Sequence, residues 1–149
     1  MTEQVSTARK WSIEGFKAFW ANPQPSIVPL FGEIATHDIV GHWPRPIGIV
    51  RGAAAYVPVI ESILRVCPNL SLSVMEYARS EDLHFVRWVA TGTGREGPFE
   101  FDGLDRLRTT ADGRVSENYI FSDHPFFADV AAQLRITASP ATAVNGVSR

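Results

Sequence analysis

Between Phe99 and Thr109 the chain alternates in character residue by residue. Phe99, Phe101, Gly103, Asp105 and Leu107 take one parity, and Glu100, Asp102, Arg106 and Arg108 take the other, with Leu104 the apolar exception among them. Period-two alternation of this length predicts a strand with one buried and one solvated face. Such a strand belongs in a sheet with a core on one side only. Asp112-Gly113 behind it is a strong hairpin signal, and Val115 to Phe121 returns as a further strand. Upstream, Leu70, Leu72 and Val74 alternate with Ser71, Ser73 and Met75, Ser80-Glu81-Asp82 reads as a turn, Leu83 to Thr91 as a strand, and Gly92 to Pro98 as a loop. Four consecutive antiparallel strands need a cover for their apolar face.

The first part of the chain supplies that cover. Ser6 or Thr7 can cap a helix that runs to about Ala21, with Ile13, Phe16 and Trp20 on one face and Asn22-Pro23 ending it. Ser26 to Phe31 reads as a short second helix, Thr36 to Trp43 as a strand that enters a loop at Pro44–Pro46, and Gly52 to Val66 as a third helix. Val57, Ile60 and Leu64 form its buried stripe, Pro58 falls in its body, and Cys67-Pro68 ends it. The plan is α+β: a curved, cone-shaped antiparallel or mixed sheet wrapped around three N-terminal helices and enclosing a pocket. Residues 1–136 form one domain. The stretch 137–149 is small and polar, offers nothing large and apolar to bury, and reads as a disordered tail.

Composition removes several function classes. With 14 Lys and Arg against 16 Asp and Glu, the net charge of −2 argues against general nucleic-acid binding. No apolar run approaches the roughly 20 residues of a membrane span, and the N-terminus lacks the order of a signal peptide, so a cytoplasmic location is expected. A single cysteine, Cys67, excludes an intramolecular disulfide and a cysteine-based zinc site. His37 and His42, five apart on a strand, point to opposite faces, so no metal site and no cofactor are expected. Gly92-Thr93-Gly94-Arg95-Glu96-Gly97 matches G-x-G-x-x-G, but a strand follows where a dinucleotide site needs a helix. Nine Phe, four Trp and three Tyr are enough to line an apolar cavity.

Asp105 is the one carboxylate on the otherwise apolar face of its strand. In apolar surroundings such a carboxyl titrates high and can donate a hydrogen bond or act as a base. The competing reading is a buried Asp paired with an Arg or a backbone amide, or a bulge at Asp102-Gly103 that flips the register. His42 shares a face with Asp38 and Val40, beside Trp43. Trp88 lies with Val86 and Ala90. Tyr119 shares a parity with Glu117 and Phe121; if that face is interior, Asp105 on the neighbouring strand could partner its hydroxyl.

Asp38-Ile-Val-Gly-His42-Trp-Pro44, followed by Arg51-Gly52 before a helix, resembles a segment of the SnoaL-like polyketide cyclases. Val86-Arg87-Trp88 with Gly92-Thr93, then Phe101-Asp102-Gly103-Leu104-Asp105-Arg106-Leu107-Arg108, then Asp112-Gly113-Arg114-Val115-Ser116-Glu117 resemble that family's later segments in order and spacing. The resemblance covers roughly residues 8 to 125. It implies the cone-shaped fold of the nuclear transport factor 2 superfamily, which also houses ketosteroid isomerase and limonene-epoxide hydrolase. Asp105-Arg106-Leu107-Arg108 is similar to the isomerase segment whose Asp stays protonated and donates to an enolate oxygen. His42, or Asp38 in a shifted register, falls near the isomerase base. Two departures stand out: Gly94 replaces the histidine that usually follows Gly-Thr in the cyclases, and Val89 replaces the Asp that the epoxide hydrolase needs.

The resemblance therefore implies a small apolar, carbonyl-bearing ligand and cofactor-free acid–base chemistry beside the carbonyl, in an isomerase or an aldol-type cyclase. Asp105, His42 or Asp38, and Tyr119 are the candidate catalytic residues. Trp43, Trp88, Phe101, Phe16, Trp20 and Tyr56 are the candidate walls. The alternative is a non-catalytic ligand-binding or dimerisation module of the same fold. A homodimer through the outer sheet face is expected, with Leu104 and Ile120 on it.

Overall fold

In the computed structural model, which describes residues 10–138, a six-stranded sheet follows the spatial order β2-β1-β6-β5-β4-β3. The strands are β1 (Ala35–Trp43), β2 (Gly48–Arg51), β3 (Ser71–Ser80), β4 (Leu83–Gly94), β5 (Gly97–Thr109) and β6 (Val115–Phe121). β3 to β6 are joined in sequence as antiparallel neighbours, as the alternation predicts. β1 adds to β6 in parallel, which makes the sheet mixed, and β2 pairs antiparallel to β1 at the edge. The sheet is curved and does not close. It carries an α+β core of the kind expected, with α1 (Ile13–Ala21), a 3-10 turn (Pro25–Leu30), α2 (Phe31–Ile34) and α3 (Ala53–Val66) beside it.

Several local expectations are corrected. α1 begins at Ile13 because Ser12 is its cap: the Ser12 hydroxyl accepts from the Gly15 amide at 3.0 Å. Trp11 cannot join the helix, since its amide donates to the Gly113 carbonyl at 2.8 Å and ties the segment to the β5–β6 turn. The expected loop from Gly92 to Pro98 is a tight hairpin, with Gly94 paired to Gly97. The glycine-rich motif is consumed by that hairpin. α3 runs through Pro58 and turns Tyr56, Val59 and Ile63 to the main core, whereas Ile60 and Leu64 pack with Val28 and only half-bury Val57. The sequence reading assigns neither β2 nor a helix after Phe121, yet α4 (Phe126–Ala138) buries Phe126, Phe127, Val130 and Ala131. Those positions recur at helical spacing, and α4 packs on α3. Thr137 and Ala138 belong to α4; the rest of the expected tail, and Ser6 and Thr7, lie outside the described residues.

The inner face of the sheet carries the core: Ile39, Val86, Trp88, Ala90, Leu107, Val115 and Ile120 are buried. Ile120 therefore faces inward and leaves the outer surface expected for a dimer, on which Phe121 is exposed. Among the described residues no helix is long and apolar enough to cross a membrane.

Candidate functional site: a carboxylate in an apolar cavity

Asp105 lies midway along β5, on the inner face, at 8% exposure. β5 pairs Val86 and Ile120 with it on either side, so the sheet surrounds it with apolar neighbours. Two donors hold it. The Trp88 indole Nε1 donates to Oδ1 at 2.8 Å, and the Asn118 amide Nδ2 donates to Oδ2 at 3.3 Å. No cation pairs with it among the described residues, which removes the salt-bridged alternative. Burial pushes its pKa up from 3.8 to about 6, against the pull of the Trp88 and Asn118 hydrogen bonds.

Gly103 makes the Trp88 contact possible. Gly103 pairs with Trp88 across β4 and β5, and a Cβ there would overlap the indole ring. The indole lies over that backbone and reaches the residue two positions on. Gly41 plays the same part for Tyr56: a Cβ on Gly41 would overlap the Tyr56 hydroxyl. α3 thus lays Tyr56 against β1, stacked on Phe31 with ring centroids 4.7 Å apart.

A cavity of about 930 Å³ opens between the sheet, α1, the 3-10 turn and α2. Phe16, Trp20, Trp43 and Tyr56 line it, together with Asp105 and Asn118. Beside it is a chamber of about 40 Å³ lined by Trp88, Ala90, Phe101 and Phe127, and Asp105 borders both. All six aromatic residues expected as walls thus line one or both spaces. Among the described residues, three buried polar atoms of the large cavity's lining find no hydrogen-bond partner: the Tyr56 hydroxyl, the Trp43 Nε1 and the Asn118 Oδ1. Burial first, and the nearby charge of Asp105 second, raise the Tyr56 hydroxyl far above the ordinary tyrosine value against a weaker pull from the neighbouring Trp43 indole, so it remains a neutral donor.

The expected convergence of His42 and Tyr119 on Asp105 does not occur. On β1 the inward residues are Ile39, Gly41 and Trp43, which turns Asp38, Val40 and His42 to the other side. Asp38 is exposed. The parallel register places His42 beside Tyr119, and their rings stack at 3.8 Å and 6° on the outer face. Arg106 lies 4.9 Å over the Tyr119 ring and 3.6 Å from Glu117. His42 and Tyr119 line an open groove behind the sheet, across from Asp105. Asp105 takes Asn118 and Trp88 as partners in place of Tyr119.

Asn118 is the residue that sequence reasoning missed. Counting back two from the buried Ile120 puts it inside, but the sequence reading takes Ile120 as outward and Tyr119 as the candidate partner of Asp105. The β5–β6 register shifts between Arg108 and Thr109, and that irregularity reverses the parity between Val115 and Asn118. The other buried polar ring of the inner face, His84, is already held: Tyr77 meets its Nδ1 at 2.8 Å and Thr109 its Nε2 at 3.1 Å. Among the described residues no group of three His, Cys, Asp or Glu is arranged to hold a metal ion.

The model of the SnoaL-like domain family matches residues 16–118. No curated protein matches the sequence. Solved structures share the fold. IdmH, a candidate polyketide cyclase from Streptomyces antibioticus, superposes with a TM-score of 0.63 at 24% identity over 82% of this chain and 94% of its own. A hypothetical protein with a ketosteroid isomerase-like fold from Catenulispora acidiphila, in complex with trimethylamine, gives 0.62 at 17% identity over 89% and 93%. TerC, co-crystallised with polyporic acid, gives 0.63 at 17% identity over 79% and 95%.

Proposed function

This chain belongs to the SnoaL-like domain family, and on that premise we propose that it binds a small apolar, carbonyl-bearing molecule and moves a proton beside the carbonyl without a cofactor. The observation that carries the reading is Asp105, among the described residues the sole carboxylate lining an otherwise largely apolar cavity, its carboxyl pushed up by burial to about 6. A base with that pKa is mostly ionised at neutral pH yet returns its proton readily. The Asp105 carboxylate takes a proton from the carbon next to the carbonyl. The Tyr56 hydroxyl and the Trp43 Nε1, both buried beneath the cavity wall, must turn into the cavity to donate to the oxygen on which charge then develops. Asp105 returns the proton to another carbon, completing an isomerisation. In an aldol-type closure the enolate carbon instead attacks a second carbonyl, and the proton goes to the new alkoxide. One carboxyl thus serves as base and then acid.

The IdmH and TerC likenesses are compatible with such a ligand, since the former is a candidate polyketide cyclase and the latter was crystallised with polyporic acid. The second reading, a binding module without turnover, is favoured by one observation: among the described residues no second carboxylate or histidine lines the cavity with Asp105. Mass spectrometry of co-purifying small molecules, followed by NMR of cyclic enones and diketones in D₂O, tests both. Protein-dependent C–H exchange that Asp105→Asn abolishes supports proton transfer. Binding without exchange establishes the module, and no binding removes both readings.

A further inference from the structure

The small chamber behind Asp105 has no part in the proton transfer just described. Every residue that lines it is apolar apart from Asp105 itself. Both Asp105 oxygens already accept a hydrogen bond, from Trp88 and from Asn118. A water molecule there would meet the Asp105 carboxylate and otherwise almost only the carbon of Ile63, Leu70, Leu72, Ala90, Ile120 and the aromatic rings, the Trp43 Nε1 being buried beneath the surface, whereas a buried water ordinarily needs two to four polar partners. The chamber, at about 40 Å³, has room for roughly three water-sized spheres. It is therefore large enough for a short hydrocarbon group and chemically unsuited to water.

We infer that this chamber is a subsite for a short alkyl substituent, of methyl to isopropyl size, carried by the ligand next to its carbonyl carbon. The ring body occupies the large cavity, the carbonyl oxygen meets Tyr56 and Trp43, and the alkyl branch passes Asp105 into the space between Ala90, Leu72 and Phe127. Asp105 borders both spaces, so the first carbon of the branch, which bears the proton beside the carbonyl, is the one it faces. The inference names the substrate class of the proposed site and rests on that reading. Ala90 is the residue that sets the size limit, because its neighbours on the inner face of β4 are the much larger Val86 and Trp88.

Two measurements on the full chain test it. Xenon pressurisation with methyl-resolved NMR asks whether the chamber is dry and accessible: Ala90 and Leu72 methyl shifts that saturate with xenon are expected, and their absence overturns the inference whatever the ligand. Tryptophan fluorescence then follows binding of methyl, ethyl, isopropyl and phenyl 2-naphthyl ketones. Affinity should rise roughly three- to fourfold per added carbon up to isopropyl and collapse for phenyl. Ala90→Leu, which fills the chamber, should abolish the rise and weaken all three alkyl ketones, the isopropyl ketone most. Leu72→Phe, which fills it from a half-buried wall, does the same if Ala90→Leu does not fold. Equal affinity across the series in both proteins overturns the subsite. A xenon response with no ketone bound overturns the carbonyl-binding reading, and the alkyl assignment with it.

Discussion

The Trp88 indole donates to Asp105 at 2.8 Å from the adjacent strand, across the backbone of Gly103. That contact, with the longer one from Asn118, is what a carboxyl receives in place of solvent in this cavity. It lowers the Asp105 pKa while burial raises it, and burial wins.

Stability should fall as the pH rises across the titration of Asp105. Its folded-state pKa of about 6 lies above the ordinary 3.8, so between those values the folded protein binds the extra proton. The stability this contributes is complete below 3.8 and lost as the pH passes about 6. Asp105→Asn should remove that slope. Other carboxylates titrate alike in both proteins, so the difference between their unfolding curves isolates it. The difference should change by about 2–3 kcal/mol over the window. An unchanged difference contradicts the assigned environment.

At neutral pH the two Asp105 substitutions should diverge. Asn retains an acceptor for Trp88, and rotating the Asn118 amide turns its unpartnered Oδ1 toward the new amide. Ala leaves two buried donors without an acceptor and should cost about 1–3 kcal/mol for each. Denaturant unfolding of both variants at pH 7 measures this, with Asn expected to be at least as stable as wild type.

Gly103→Ala should displace the indole, since its Cβ would overlap that ring and stand 2.8 Å from the Phe121 carbonyl. The expected loss is about 1–3 kcal/mol. Without Trp88 donating, the Asp105 pKa should rise further. Carboxyl titration by ¹³C NMR reads that rise, and an unchanged pKa would show that Trp88 does not hold the carboxyl.

Tyr56→Phe should leave folding intact or strengthen it, because the hydroxyl it removes is buried without a partner. Any proton-transfer rate should drop on the order of 10²–10³-fold, as expected for loss of one donor to a developing oxyanion. A large stability loss with unchanged exchange kinetics would assign Tyr56 to packing alone.

His42→Ala should not alter the Asp105 titration or ligand binding in the cavity, because the sheet stands between them. The cost should be the stacking with Tyr119, about 0.5–1.5 kcal/mol. A shift in the Asp105 pKa on this substitution would mean that the two faces communicate.

The alternation from Phe99 to Leu107 determined by itself that Asp105 would face the core, because side-chain direction along a regular strand depends on position alone. The same rule placed Trp88 with Val86 and Ala90, and helical spacing placed Phe16 and Trp20 on the covering face. The partners of Asp105 were decided elsewhere. Whether Asn118 or Tyr119 meets it depends on a register irregularity at the β5–β6 turn, and no local pattern encodes a shift between two strands. The position of His42 depends on β1 pairing in parallel with β6, a contact between segments more than seventy residues apart. The cavity is more remote still from sequence: its volume is the space left between α1, the 3-10 turn and a curved sheet, set by how far each element can approach before side chains collide.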